Sequence, residues 1–335
     1  MPTLFEPDLS KPLHLPARDS WPATSHLFDT TSVWAVRAAI ASGRPLLLRG
    51  EPGIGKSQLA RAVAEHLDLP FLYHVVDERS ERDDLLYTYD AVARLAEAQV
   101  SALAAKDDPR WRDKLAERNF IRPGVLWWAF NWNDAQKQAA HYKTHCRACK
   151  EPWKPDGWSP ASARPCGPVV LVDEIDKADP SVPNGLLESL GNDGFMTAQL
   201  GEAVCMEAGA KPPLVVITTN EERELPAAFL RRCLVLQMRF PADAPAAERF
   251  LIEERARVFW PPSRVTDKVC REVVGHLLRD RETAQRDGLP RPGAAEFLDV
   301  IRVLQELHPG DETAQLAALE KVKDFALRKN LTESA

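Results

Sequence analysis

The octapeptide Gly50-Glu51-Pro52-Gly53-Ile54-Gly55-Lys56-Ser57 follows the apolar run Pro45-Leu46-Leu47-Leu48 and leads into the helical pattern SQLARAVAEHL. Few local sequences constrain a fold as tightly. Glycines let the backbone wrap closely around phosphate oxygens, and the loop N–H groups and the helix N-terminus supply fixed positive partial charge. Lys56 is then placed to reach the β- and γ-phosphates and Ser57 to hold Mg²⁺, so Gly50 through Gln58 are expected to bind a nucleoside triphosphate. No base-reading motif accompanies the loop, and the residues by themselves do not choose adenine over guanine.

Composition narrows the partners. The 335 residues are too many for one ordinary core and predict two or three units. Lys and Arg number 43 against 49 Asp and Glu, a net charge of -6, which argues against a large electrostatic footprint for nucleic acid. The N-terminal MPTLFEPDLSKPLHLPARDSWP lacks the apolar core of a signal peptide. No segment is an uninterrupted apolar run of the ~20 residues that cross a bilayer. A soluble, cytoplasmic protein without a membrane partner is therefore expected. In that setting the six cysteines read as reduced thiols or metal ligands.

Along the chain, residues 1–25 are rich in proline, show little periodicity and predict an extended arm. A nucleotide-binding core is expected over 26–242, its short apolar segments (PLLL, FLYHVV, PVVLV, LVVIT, CLVLQMRF) reading as strands between helical patterns. That alternation predicts an α/β fold, an αβα sandwich on a parallel sheet, with the ligand at the carboxyl ends of the strands. Residues of about 131–167 have turn residues and no usable period, and read as an irregular insertion. From 243 to 335 only helical spacing remains, which predicts a separate helical domain.

Two carboxylates close one apolar run as Val169-Val170-Leu171-Val172-Asp173-Glu174. In that order Asp173 is the candidate Mg²⁺ holder, and Glu174 the group that polarises the attacking water. Asn220 ends the next apolar run, where an amide can hold that water or sense the γ-phosphate. Arg231 and Arg232 precede a further strand; a guanidinium is suited to reach a γ-phosphate across a subunit boundary.

Together GEPGIGKSQLA, VVLVDEIDKADP, LVVITTN and ELPAAFLRRC resemble, in order, the Walker A, Walker B, sensor 1 and arginine-finger segments of the AAA+ ATPases. LLYTYDAVARLAEAQ and IRPGVLWWAF are similar to the segment before Walker B in the MoxR-like branch. The resemblance covers about Thr31 to Leu307. It implies a P-loop NTPase core with a C-terminal helical lid, ATP and Mg²⁺ as ligands, and assembly into a ring, usually a hexamer. It also implies a remodelled client protein, in this branch often one with a von Willebrand factor A domain. By motif it assigns Lys56, Ser57, Asp173, Glu174 and Asn220, with Arg232 preferred over Arg231 as the finger.

Two places depart from the pattern. Where the family has a sensor 2 arginine near the start of a late lid helix, LPRPGAAEFLDVI has Arg291 before Pro292 and Glu296 inside the helix, which leaves Arg291 to act from the helix entrance. In the insertion, Cys146, Cys149 and Cys166 with His145 or His141 offer four ligands for a structural Zn²⁺, though unpaired cysteines in a loop fit the spacing as well. Trp127, Trp128 and Trp132 read as core under that loop, with a docking surface as the alternative.

Overall fold

The apolar runs become five short strands of one sheet: β1 (Leu46–Arg49), β2 (Phe71–Val75), β3 (Val169–Asp173), β4 (Leu214–Thr219) and β5 (Leu234–Gln237). The computed structural model describes residues 5–104, 111–145 and 149–327. Strand order is β5-β1-β4-β3-β2, and β3 pairs in parallel with both β4 and β2. Leu214 stands opposite Val169 and Ile217 opposite Val172. Every residue of β4, and Val169 through Val172 of β3, is buried. Helices packed on both faces account for that, and for apolar runs in place of alternation. The expected α/β fold with a parallel sheet and C-terminal helices is what forms.

The chain divides into two compact units that do not follow chain order. One comprises Met1–Pro7, Thr30–Leu48 and Ala60–Leu236, the other Asp8–Asp29, Arg49–Leu59 and Gln237–Ala335. In the first, the residues between β2 and β3 are more regular than the sequence implied. Strands Tyr87–Tyr89 and Ile121–Pro123 pair antiparallel. The segment read as irregular opens with a helix, Trp132–His145. Asn131 supplies its N-terminal bond, accepting from the Asp134 N–H at 3.1 Å, and Ala135, Gln138 and Ala139 bury one face. Its polar sequence hid a narrow buried stripe of two alanines and a glutamine. Trp127, Trp128 and Trp132 are core, with 2–3% exposure; Trp132 sits edge-on between Trp128 and Trp158, and the Trp127 indole donates to Asp134 at 2.8 Å.

In the second unit, the proline-rich segment read as an arm contains a hairpin, Leu13–Leu15 with Thr24–His26, and buries Leu15. Helices Asp267–Arg286, Ala294–Leu307 and Glu312–Ala326 pack Val269, Val273, Leu277, Phe297, Ile301 and Leu304 into one core that also takes in Ile54. Thr266 and Asp311 cap the first and last of them through backbone N–H groups. No helix among the described residues is long and apolar enough to cross a membrane.

The hairpin also buries His26, whose Nε2 has no hydrogen-bond partner among the described residues and whose ring lies edge-on to Phe28 at 4.7 Å. Burial, aided by the positive Arg255 and opposed by Asp29, pushes the imidazole down from 6.5 to about 3. The unfolded chain therefore takes up this proton first. The stability His26 permits is complete above about pH 6.5 and is lost as pH falls toward 3, at up to about 1.4 kcal/mol per pH unit. Melting temperatures of wild type and His26→Phe between about pH 7.5 and 4.5 check this: the wild type is expected to lose more, and parallel curves refute it.

Candidate active site

Three glycines of the loop have left-handed or positive φ: Gly50 at 151°, Gly53 at 74° and Gly55 at 104°. A Cβ on Gly50 would lie 2.2 Å from the Met238 carbonyl oxygen, and one on Gly53 would lie 2.7 Å from the Ala295 Cβ. Glycine is thus required at both positions by close backbone approach as well as by φ. Lys56, 6% exposed, opens the helix Lys56–Leu67 and folds back over the loop, its Nζ donating to the carbonyls of Gly50 at 2.7 Å and Glu51 at 2.9 Å. A buried ammonium aimed along a strand-to-helix turn of glycines fits a bound polyphosphate; Ser57, next in the helix, has the hydroxyl that would hold Mg²⁺. The loop residue Ile54 is fixed from the same unit: it sits in the helical core and its carbonyl accepts from Arg255 at 3.4 Å. Gln58 faces the hairpin, its amide donating to Thr24 Oγ1 at 2.9 Å and to the Ser25 carbonyl at 3.2 Å.

Glu51 anchors two arginines. Arg281 donates to both its carboxylate oxygens, at 2.9 and 3.2 Å, and Arg291 bonds Oε1 at 2.6 Å. Arg291, predicted at a helix entrance, therefore reaches the phosphate loop through Glu51. Arg281 was not foreseen. It lies mid-helix in Asp267–Arg286, where nothing in the local pattern separates it from a surface charge. Its guanidinium stacks on Phe240 at 3.9 Å and donates to the Pro292 carbonyl at 2.6 Å. Glu296 closes the turn between them by accepting from the Gly293 N–H at 2.8 Å.

In the other unit the ends of β3 and β4 gather the acidic cluster. The parallel register carries Thr218 beside Asp173, and its hydroxyl donates to Asp173 Oδ1 at 2.5 Å while accepting from the Glu174 N–H at 2.9 Å. Glu174 has φ 60°, a left-handed conformation that costs a non-glycine residue roughly 1 kcal/mol or more. That turn directs its side chain toward β4, where Oε1 accepts from Asn220 Nδ2 at 3.0 Å. The Lys177 ammonium holds Oε2 at 2.6 Å, and this bond raises the lysine pKa above its ordinary value. Asp173, Glu174 and Asn220 are thus brought together as the sequence implied. Thr218 and Lys177 join them unannounced, the first through strand register and the second through the 3-10 turn Ile175–Lys177. The acceptors suit Mg²⁺ and water: Asp173 offers a carboxylate held in place by Thr218, and Glu174 one whose second oxygen is freed when a single lysine bond opens.

Arg231 and Arg232 end the short helix Ala227–Arg232, with both residues exposed. Arg44, from the turn before β1, donates to the carbonyls at that helix end.

The zinc assignment finds no support. Among the described residues no group of three His, Cys, Asp or Glu side chains could hold a metal ion; Cys146 and the His145 side chain lie outside them. His141 is exposed, whereas Cys149 and Cys166 are buried. Burial pushes the Cys166 thiol up to about 12.

The solved structure of NtrX from Brucella abortus in complex with ATP matches at 14% identity and a TM-score of 0.41, over 86% of this chain and 54% of that chain. A RuvB mutant from Thermotoga maritima matches at 13% identity and a TM-score of 0.41, over 88% of this chain and 68% of that one. No curated protein shows a significant sequence match. The family model described as AAA domain (dynein-related subfamily) matches residues 45–233. That interval is more than half of the 335 residues and runs from β1 through the phosphate loop, the Asp173 cluster and the Arg232 helix. The chain accordingly belongs to the AAA family, in its dynein-related subfamily.

Proposed function

We propose that the chain is a Mg²⁺-dependent ATP hydrolase of the MoxR-like branch that works as a ring, with a hexamer expected, and remodels or chaperones a partner protein. The observation that carries the hydrolase reading is the cluster of Asp173, Glu174, Asn220 and Thr218 at the carboxyl ends of β3 and β4. A protein that only bound nucleotide would not need a second carboxylate held by an amide beside the metal-site aspartate. In the proposed reaction Lys56 and the loop N–H groups take the β- and γ-phosphates. Glu174 accepts the proton of the water whose oxygen forms the new bond to the γ-phosphorus as the bond to the ADP oxygen breaks. Asn220 keeps Glu174 aligned. Ser57 and Asp173 would hold Mg²⁺, whose charge would neutralise the phosphate oxygens. The MoxR-like branch supports a client carrying a von Willebrand factor A domain.

One observation favours a second reading, a nucleotide-gated scaffold with little turnover. Both Glu174 carboxylate oxygens are engaged, one by Asn220 and one by Lys177. A resting subunit then hydrolyses slowly until Lys177 lets go.

Ring action has a direct test. Arg232→Ala is expected to bind ATP normally while hydrolysis falls by about a thousandfold, the low end for a finger arginine. Mixed with Lys56→Ala, itself inactive, it is expected to regain turnover, because only mixed rings pair an intact finger with an intact phosphate loop. Turnover that stays flat in proven mixed assemblies refutes a finger acting across subunits.

A further inference from the structure

We infer that Arg44 is a positioning residue for the finger arginines, an inference that rests on the trans-acting reading above. Arg44 lies in the turn between helix Thr30–Ser42 and β1, 187 residues away in sequence from Arg231. Its Nη2 donates to the Arg231 carbonyl at 2.5 Å and to the Cys233 carbonyl at 3.1 Å, and its Nε donates to the Arg232 carbonyl at 3.2 Å. Three consecutive carbonyls are thereby gathered onto one guanidinium.

The helix Ala227–Arg232 has six residues, too few to hold its own direction by internal hydrogen bonds. Its last carbonyls have no intrahelical donors, and its dipole leaves them partly negative. A planar guanidinium with donors on both Nε and Nη2 satisfies them together, which a single ammonium cannot do with the same rigidity. Elsewhere the helix is tied down by Phe229, fully buried, and by Cys233, also buried. Phe229 anchors it in the core, and Arg44 fixes the rotation and pitch of the end that bears the two arginines. Neither finger side chain has a partner among the described residues, so their direction is set by the backbone beneath them. The clamp also ties that end to the turn entering β1, the strand whose continuation is the phosphate loop in sequence.

The distinguishing feature is where the defect is felt. A clamp lost in one subunit misplaces a finger that serves the neighbour, while the subunit's own nucleotide site stays intact. Displacing a reacting-site group by about 1 Å costs on the order of a hundredfold. Arg44→Ala is therefore expected to lower kcat by about that factor with KM for ATP within about twofold. Arg44→Lys, which keeps a donor, is expected to recover a good part of the loss.

Mixing assigns the effect. Arg44→Ala combined with Lys56→Ala is expected to regain turnover, because the Lys56 variant lends an intact finger to an intact phosphate loop. An unchanged kcat in Arg44→Ala overturns the inference. So does a loss that mixing fails to repair while the parallel Arg232→Ala and Lys56→Ala mixture recovers, since Arg44 would then act inside its own subunit. If neither mixture recovers, the trans-acting finger itself falls, and this role with it.

Discussion

Lys56→Ala is expected to abolish ATP binding. The wild type with ATP at a thousandfold above Kd should gain about 4 kcal/mol of stability by mass action, and the variant none. The reasoning is local. Lys56 is the buried cation of the loop and is already oriented along it by the Gly50 and Glu51 carbonyls. Removing it leaves those two carbonyls without that donor, which by itself costs on the order of 1–3 kcal/mol. The measurement is therefore the ligand-dependent shift in melting temperature, read against each variant's own ligand-free value. An ATP-dependent shift equal to that of the wild type removes Lys56 from the site.

Glu174→Gln is expected to keep that ATP-dependent shift and to lose hydrolysis by at least about a hundredfold, the scale of a positioned general base. The substitution is close to isosteric, and the new side-chain carbonyl can still accept from Asn220. What goes is the proton acceptor and the negative charge opposite Lys177, whose pKa should return toward its ordinary value because the Glu174 bond is its main cause of elevation. Single-turnover phosphate release, measured with ATP saturating, separates the two effects. Turnover near the wild-type rate would reduce Glu174 to a turn residue and require another base.

How far these sites were legible can be judged residue by residue. Lys56, Asp173, Glu174 and Asn220 were readable because each sits at a fixed offset from a short apolar run, and a run buried on both faces of a parallel sheet announces itself. Thr218 was not, since a threonine in a strand carries no local mark; the β4–β3 register alone brings it beside Asp173. Trp132–His145 was missed as a helix because, after Trp132, its inner face carries two alanines and a glutamine, so the hydrophobic period is weak where it is real. The candidate zinc set rested on spacing alone, and Cys146 and the His145 side chain lie outside the described residues.

By itself the sequence determined which groups stand at the strand ends: a glycine-rich loop followed by a lysine, and two carboxylates and an amide placed after buried runs. Those depend on neighbours within a few residues, whose backbone preferences and burial patterns are local properties. Only the tertiary structure decided which distant charges serve them. Arg281 reaches Glu51 across 230 residues, and Arg44 reaches the Arg231 and Arg232 carbonyls across 187 and 188. One exposed arginine looks like any other in a sequence. What distinguishes these two is the carbonyl oxygens and carboxylates that folding brings within about 3 Å of their donors, where charge-assisted hydrogen bonds form.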